Sequence, residues 1–187
     1  MKKALVLLAD GFEDVEAITP LDYLRRAGID VTAVSISQNL TVTSRWGGIK
    51  VIADAVLTEQ IIKKEQSTWD AVILPGGMSG AVNLAASKEV SELLNEAAAA
   101  GKLICAICAS PVVVLAPLGL ITGKRFTCYP GLEEKVTDAA WSNDRVVIDG
   151  NLITSRSAGT AGQFSIAIIE KLLDEAAGKK TAESVLL

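Results

Sequence analysis

The stretch that decides the fold runs from residue 103 to residue 111, Leu103-Ile104-Cys105-Ala106-Ile107-Cys108-Ala109-Ser110-Pro111. Its first five residues form an apolar run without polar alternation, the pattern of a strand covered on both faces. Cys108 stands where that run gives way to small residues and a proline suited to opening a helix. A buried strand that turns sharply into a helix has the geometry of a nucleophile elbow, with the turning side chain pushed into the open. Three readings of Cys108 are open at this point: a reactive nucleophile, half of a redox pair with Cys105, or core.

The same pattern recurs outward from this stretch. Residues 3–9 (KALVLLA) and 71–74 (AVIL) are further unalternating runs, and 30–36 is another strand. Residues 13–27 predict a helix, with Val15, Ile18, Leu21 and Leu24 at helical spacing, acids in the first turn, Arg25 and Arg26 in the last, and Gly28 as the stop. Residues 87–100 predict a second helix closed by Gly101, and 108–115 a third. Residues 41–44 and 50–53 read as a hairpin around Trp46-Gly47-Gly48, 55–64 as a short helix and 125–128 as a strand. Residues 146–149 and 152–155 read as a hairpin across Gly150-Asn151, followed by a long helix over 163–173 and a short terminal one. Buried strands alternating with helices predict a single α/β domain over 1–187, a three-layer sandwich with a mostly parallel sheet and helices on both faces. Ligands bind such sheets at the carboxyl ends of the strands. The loops after Ala9, Leu74 and Ile107 are therefore expected to converge on a site.

Composition narrows what that site can do. The 187 residues are 50% hydrophobic and 21% charged, a globular balance able to bury a substantial core. A net charge of -4 and a pI near 5.0 argue against nucleic acid as a partner, since phosphate backbones call for clustered Lys and Arg. The N-terminal apolar run stops at Asp10, and no stretch reaches the ~18 residues of a membrane span, so a soluble cytoplasmic protein is expected, with no membrane partner. Three cysteines without a secretory signal are expected to be reduced thiols. The chain contains 0 histidines, which rules out Cys-His and Ser-His dyads, HExxH zinc sites and imidazole proton shuttles.

Cys105 and Cys108 form a literal CxxC, but on one extended segment their Cα atoms lie ~10 Å apart, beyond the ~4.4–6.8 Å that a disulfide spans. Cys105 reads as core. At the strand-to-helix turn, amides at the helix start would favour a Cys108 thiolate and offer an oxyanion hole. In Gly11-Phe12-Glu13-Asp14-Val15-Glu16, Glu13 and Asp14 read as solvated acids at a helix N-terminus. Glu16, a turn further in, is placed to reach the thiol and to act as general acid or base. Pro75-Gly76-Gly77-Met78-Ser79-Gly80 lacks the spacing of a phosphate loop, yet its paired glycines allow close backbone approach to a ligand.

Together GFEDVE, LPGGMSGAVNL and AICASP, with PLDYLRRAGIDVT, TSRWGGIKVIAD and LITSRSAGTAGQFSIAIIE, resemble the ThiJ/PfpI superfamily over nearly the whole chain. The likeness is strongest to the branch of the parkinsonism-associated protein deglycase and its bacterial relatives. That resemblance implies a flavodoxin-like sandwich, usually a homodimer, with a reactive cysteine on a strained elbow and an acid against it. Cys108 and Glu16 match those two positions. Gly76, Gly77 and the amide of Ala109 match the oxyanion pocket, and Arg26 and Arg45 match arginines near the site or the dimer interface. The implied function is a cofactor-free glyoxalase or deglycase acting on methylglyoxal or on glycated thiols and amines, with no metal. The alternative is an oxidative-stress sensor or redox-regulated chaperone in which Cys108 becomes a sulfinate. Tyr129 stands where human-type members place a histidine, and reads as a substrate-orienting group or a rim aromatic. Ser157-Ala158 stands where relatives often carry Gly-Pro. Cys128, beside Tyr129, reads as a strand-end core residue or as a thiol that resolves a sulfenate.

Overall fold

A computed structural model of the chain describes residues 1–46, 48–58 and 69–187. Its centre is a seven-stranded sheet. In chain order the strands of this sheet are β1 (Lys3–Leu8), β2 (Asp30–Ser35), β5 (Ala55–Val56), β6 (Ala71–Leu74), β7 (Leu103–Ile107), β10 (Val146–Asp149) and β11 (Leu152–Ser155). The spatial order is β10-β11-β7-β6-β1-β2-β5, and every neighbouring pair is parallel except the β10-β11 hairpin. Two small ribbons complete the strands: β3 (Thr41–Thr43) against β4 (Lys50–Ile52), and β8 (Arg125–Phe126) against β9 (Ala140–Trp141). The helices are α1 (Asp14–Arg26), α2 (Met78–Ala86), α3 (Lys88–Ala99), α4 (Ala161–Leu172) and α5 (Glu175–Ser184). The fold is a flavodoxin-like α/β sandwich.

The unalternating strands are explained by burial on both faces. Leu5 and Leu7 of β1, Val72 and Leu74 of β6, and Ile104 and Ala106 of β7 join a core with α3 and the segment after Cys108. Their neighbours Ala4, Val6 and Leu8, Ala71 and Ile73, and Leu103, Cys105 and Ile107 join a second core with α1 and α4. Full burial of each large side chain stabilises the fold by ~1.5–3 kcal/mol, so neither face of the central strands tolerates a charge.

Four elements differ from the sequence reading. The predicted 55–64 helix begins instead as strand β5, and residues 59–64 lie outside the described residues, as does Gly47 of the β3-β4 turn. Helix α2 arises within a stretch that reads as loop, because its small residues Gly80 and Ala81 are buried rather than solvated. After Cys108 the chain forms a π-helical turn (Pro111–Leu115) and a 3-10 turn (Ala116–Leu118) where an α-helix was expected. The Ala116 N–H bonds back to the Pro111 carbonyl, the five-residue step of a π turn. In α1 only Leu21 and Leu24 of the expected stripe are buried, with Ala17, Pro20 and Glu16. Val15 and Ile18 are 47% and 42% exposed, because the helix is rotated to turn Glu16 inward.

Candidate active site

The parallel strands run in the order β2-β1-β6-β7-β11, so the sheet changes winding direction between β1 and β6. Loops that leave such a switch point diverge to opposite faces and open a crevice at the carboxyl edge. That crevice is a pocket of about 510 Å³. Glu13 and Glu16 reach it from the β1 loop and α1, Gly77 and Met78 from the end of β6, and Cys108 and Ala109 from the end of β7. Ser157 and Ala158, beyond β11, form another wall.

Cys108 adopts φ +65°, a left-handed conformation that costs a residue with a side chain ~1–2 kcal/mol. Two backbone hydrogen bonds hold it there: its N–H donates to the Ser155 carbonyl at 2.9 Å, and its carbonyl accepts from the Tyr129 N–H at 2.8 Å. The Ser110 hydroxyl donates to the Pro75 carbonyl at 2.6 Å, tying the elbow to the β6 loop. The strained backbone turns the sulfur out of the sheet, so Cys108 is half-buried whereas Cys105 is fully buried.

Glu16 is 1% exposed, and its Oε2 accepts from the Gly76 N–H at 2.9 Å. The carboxyl also bonds the Cys108 thiol and the Ala158 N–H. Burial, opposed by these bonds, raises it to about 7. Burial, then the Glu16 charge, pushes the Cys108 thiol up to about 12, against the pull of the Gly77 and Ala109 amides. This reverses the expectation of a favoured thiolate: the helical segment after the elbow is short, and two amides do not offset desolvation beside a carboxylate. The two groups titrate as a pair, and their pocket accommodates one negative charge and resists two.

Gly76 and Gly77 divide the task expected of them jointly. The Gly76 N–H is spent on Glu16, and only the Gly77 amide faces the sulfur together with that of Ala109. Gly76 is required for space, since a Cβ there would stand 2.6 Å from Cys108 Cβ and from Glu16 Oε2.

Tyr129 and Arg45 line the pocket. Arg26 does not; it lies on the exposed last turn of α1 and pairs with Asp22 at 2.8 Å. Cys128 is fully buried in the core on the other face of the sheet from Cys105, its thiol near the Tyr129 carbonyl and the Glu133 carboxylate. Burial and then Glu133 push that thiol up to about 12, which suits packing better than a resolving thiol. Sequence reasoning missed Glu13, Trp46, Met78 and Leu132 as pocket residues. Glu13 read as a solvated helix-start acid, but burial raises its carboxyl, helped by Asp14 and opposed by Trp46 and Arg45. The hint for Trp46 was its adjacency to Arg45.

A switch-point crevice that presents a thiol on a strained elbow against a buried carboxyl defines an α/β protein of the cysteine-elbow class. The profile described as DJ-1/PfpI family matches residues 2–171. The chain belongs to that family. Protein DJ-1 homolog B of Arabidopsis thaliana is 38% identical over 183 residues, 98% of this chain and 41% of the plant protein. The chain thus spans about two fifths of the length of the plant relatives it matches. A Caenorhabditis elegans protein named glutathione-independent glyoxalase DJR-1.2 is 34% identical over 174 residues, 91% of this chain and 89% of its own. The crystal structure of Drosophila melanogaster DJ-1beta superposes with a TM-score of 0.92 at 38% identity, covering 100% of this chain and 98% of that one.

Proposed function

We propose that the protein is a cofactor-independent glyoxalase or deglycase that acts on methylglyoxal or its thiol and amine adducts through Cys108. The observation that carries this reading is the contact of the Cys108 thiol with a buried carboxyl raised to about 7. A general acid-base works best with a pKa near the operating pH. The name of the nematode relative supports the same class of chemistry.

The reaction balances within the pocket. Glu16 takes the thiol proton as Sγ adds to the aldehyde carbon, forming the S–C bond, and returns it to the new oxyanion. The amides of Gly77 and Ala109 are the donors for that oxygen. Glu16 next removes the proton from the former aldehyde carbon, and the electron pair passes through an enediol to the adjacent carbonyl. Reprotonation at that second carbon leaves a lactoyl thioester, which water cleaves to lactate and free thiol. The sum is methylglyoxal plus water to lactate, an internal redox change with no outside oxidant or reductant. Purified protein without added glutathione or metal is expected to form lactate, and Cys108→Ser to reduce that rate to background. Equal rates in both proteins would refute the role of the cysteine.

A second reading, a peroxide sensor, rests on the same contact, because a protonated Glu16 can donate to a sulfinate on Cys108. It predicts sulfinate on Cys108 after peroxide, read by mass spectrometry, without lactate formation by the reduced protein.

We also infer a homodimer. Ile18 of α1 and Val51 and Ile52 of β4 share a surface groove, in which Ile52 is 74% exposed. These apolar residues share the groove with Asp22, Arg25 and Asp54, and a mixed apolar and charged surface of this kind suits association. Light scattering should give twice the chain mass for the native protein and the chain mass for Ile18→Asp. A native monomer at micromolar concentration would rule the dimer out.

A further inference from the structure

The pocket extends well beyond the reacting groups. Its volume of about 510 Å³ falls within the ~300–1,000 Å³ typical of sites for drug-sized ligands. A three-carbon dicarbonyl on Cys108 fills only its buried end, where Glu16 lies. Among its exposed lining residues are Trp46, Met78 and Tyr129 together with Arg45, and Leu132 is half-buried beside them.

Trp46 is 61% exposed and Tyr129 49% exposed, so burial in the core does not hold either ring at the opening. Trp46 is fixed instead by its neighbours. The Arg45 guanidinium lies 4.6 Å from the ring centroid, and the indole bonds the Glu13 carboxylate through its N–H, the one donor an indole has. Tyr129 is anchored through its backbone N–H to the Cys108 carbonyl, which ties its position to the elbow. One ring held by its neighbours and a second carried on an anchored backbone, each partly wet and each lining the pocket, offer a contact for a flat apolar group.

We propose that Trp46 and Tyr129 form an aromatic collar that grips the substituent of a 2-oxoaldehyde bound at Cys108, so that aryl-substituted substrates are preferred to methylglyoxal. This rests on the glyoxalase reading for its turnover but not for its binding. In the bound state the dicarbonyl reaches Cys108 and the amides of Gly77 and Ala109, while the ring of an arylglyoxal lies between Trp46 and Tyr129. Methylglyoxal leaves the collar empty.

The test compares phenylglyoxal with methylglyoxal by kcat/KM in the full chain, in Trp46→Ala and in Trp46→Phe. The native protein is expected to favour phenylglyoxal by about tenfold, the range in which apolar pockets discriminate. Trp46→Ala should remove most of that preference and Trp46→Phe should keep most of it, since an aromatic face remains. A ratio unchanged in Trp46→Ala, or lost equally in Trp46→Phe, would overturn the collar. A second readout needs no turnover: the rate at which Cys108 is alkylated by N-benzyl-iodoacetamide relative to iodoacetamide, followed by intact mass with Cys108→Ser as blank. In both reagents sulfur displaces iodide, an S–C bond replaces C–I, and the thiol proton leaves to solvent. The benzyl reagent should gain about tenfold in the native protein and lose that gain in Trp46→Ala. A Trp46-dependent gain without any lactate would refute the glyoxalase reading and keep the collar. Cys108-dependent turnover with neither ratio sensitive to Trp46 would do the reverse.

Discussion

Glu16→Gln is expected to lower lactate formation by a factor of ~10²–10⁴, the usual contribution of a positioned acid-base group. The same substitution should make the fold more stable above neutral pH. Glu16 is raised from 4.5 to about 7 by burial, so between those values the native state holds a proton that the unfolded chain has released. Stability therefore falls as pH rises through that window and levels off above it. The shift corresponds to as much as ~3 kcal/mol at 1.36 kcal/mol per unit. Glutamine stays neutral and can still accept from the Gly76 N–H, so it avoids that loss. In a chain of this length the gain is a rise in Tm of about 6–12 °C at pH 8, shrinking toward zero at pH 4.5. A Tm difference of the same size at both pH values would show that burial of the charge is not its cause. The combination of lower activity and higher stability is what a strained functional group produces.

Gly76→Ala should disable the site by a different route. The added methyl would meet Cys108 Cβ and Glu16 Oε2 at 2.6 Å and the Ile107 carbonyl at 2.9 Å. None of the three can retreat easily, since Cys108 and Ile107 belong to a hydrogen-bonded strand end and Glu16 is packed inside α1. Overpacking of this kind costs ~1–3 kcal/mol. Displacing the Glu16 carboxyl by about 1 Å removes another ~10² in rate from the folded fraction. Gly28→Ala is the comparison. Gly28, unlike Gly76, has positive φ, +82°, and nothing lies within 4 Å of its added methyl. That variant should lose ~1–2 kcal/mol of stability and keep its rate per folded molecule. Equal rate losses per folded molecule in the two variants would mean that the Gly76 methyl acts through lost stability and not through the Cys108-Glu16 contact.

Much of this architecture is legible in the order of residues, for identifiable reasons. The runs KALVLL, AVIL and LICAI lack polar alternation because both faces of their strands are covered, and that reads directly as a parallel sheet. The β10-β11 hairpin also stands where Gly150-Asn151 implies it, since a tight turn fixes its flanking strands locally. The convergence of the loops after β1, β6 and β7 follows from strand direction alone. Helix α2 was not legible, because Met78-Ser79-Gly80 carries loop chemistry and its small residues gain stability only by packing under Phe12, within 2.9 Å of a methyl built on Gly80.

The class of fold, the edge of the sheet where the pocket opens, and the absence of imidazole from it are all readable from the order of residues, because periodicity, strand polarity and composition are local properties. The sequence also singled out Cys108 and Glu16, one at an abrupt change of pattern and the other an acid inside an apolar helix face. Tertiary structure alone decided the state of that pair. The burial of Glu16, the donation from Gly76 and the coupling to the thiol come from three segments that meet only in the folded chain. The same holds for the aromatic opening, where Trp46 and Tyr129, far apart in the chain, face one pocket. A pKa and a pocket wall are sums over neighbours in space, and neighbours in space are not written in the spacing of residues along the chain.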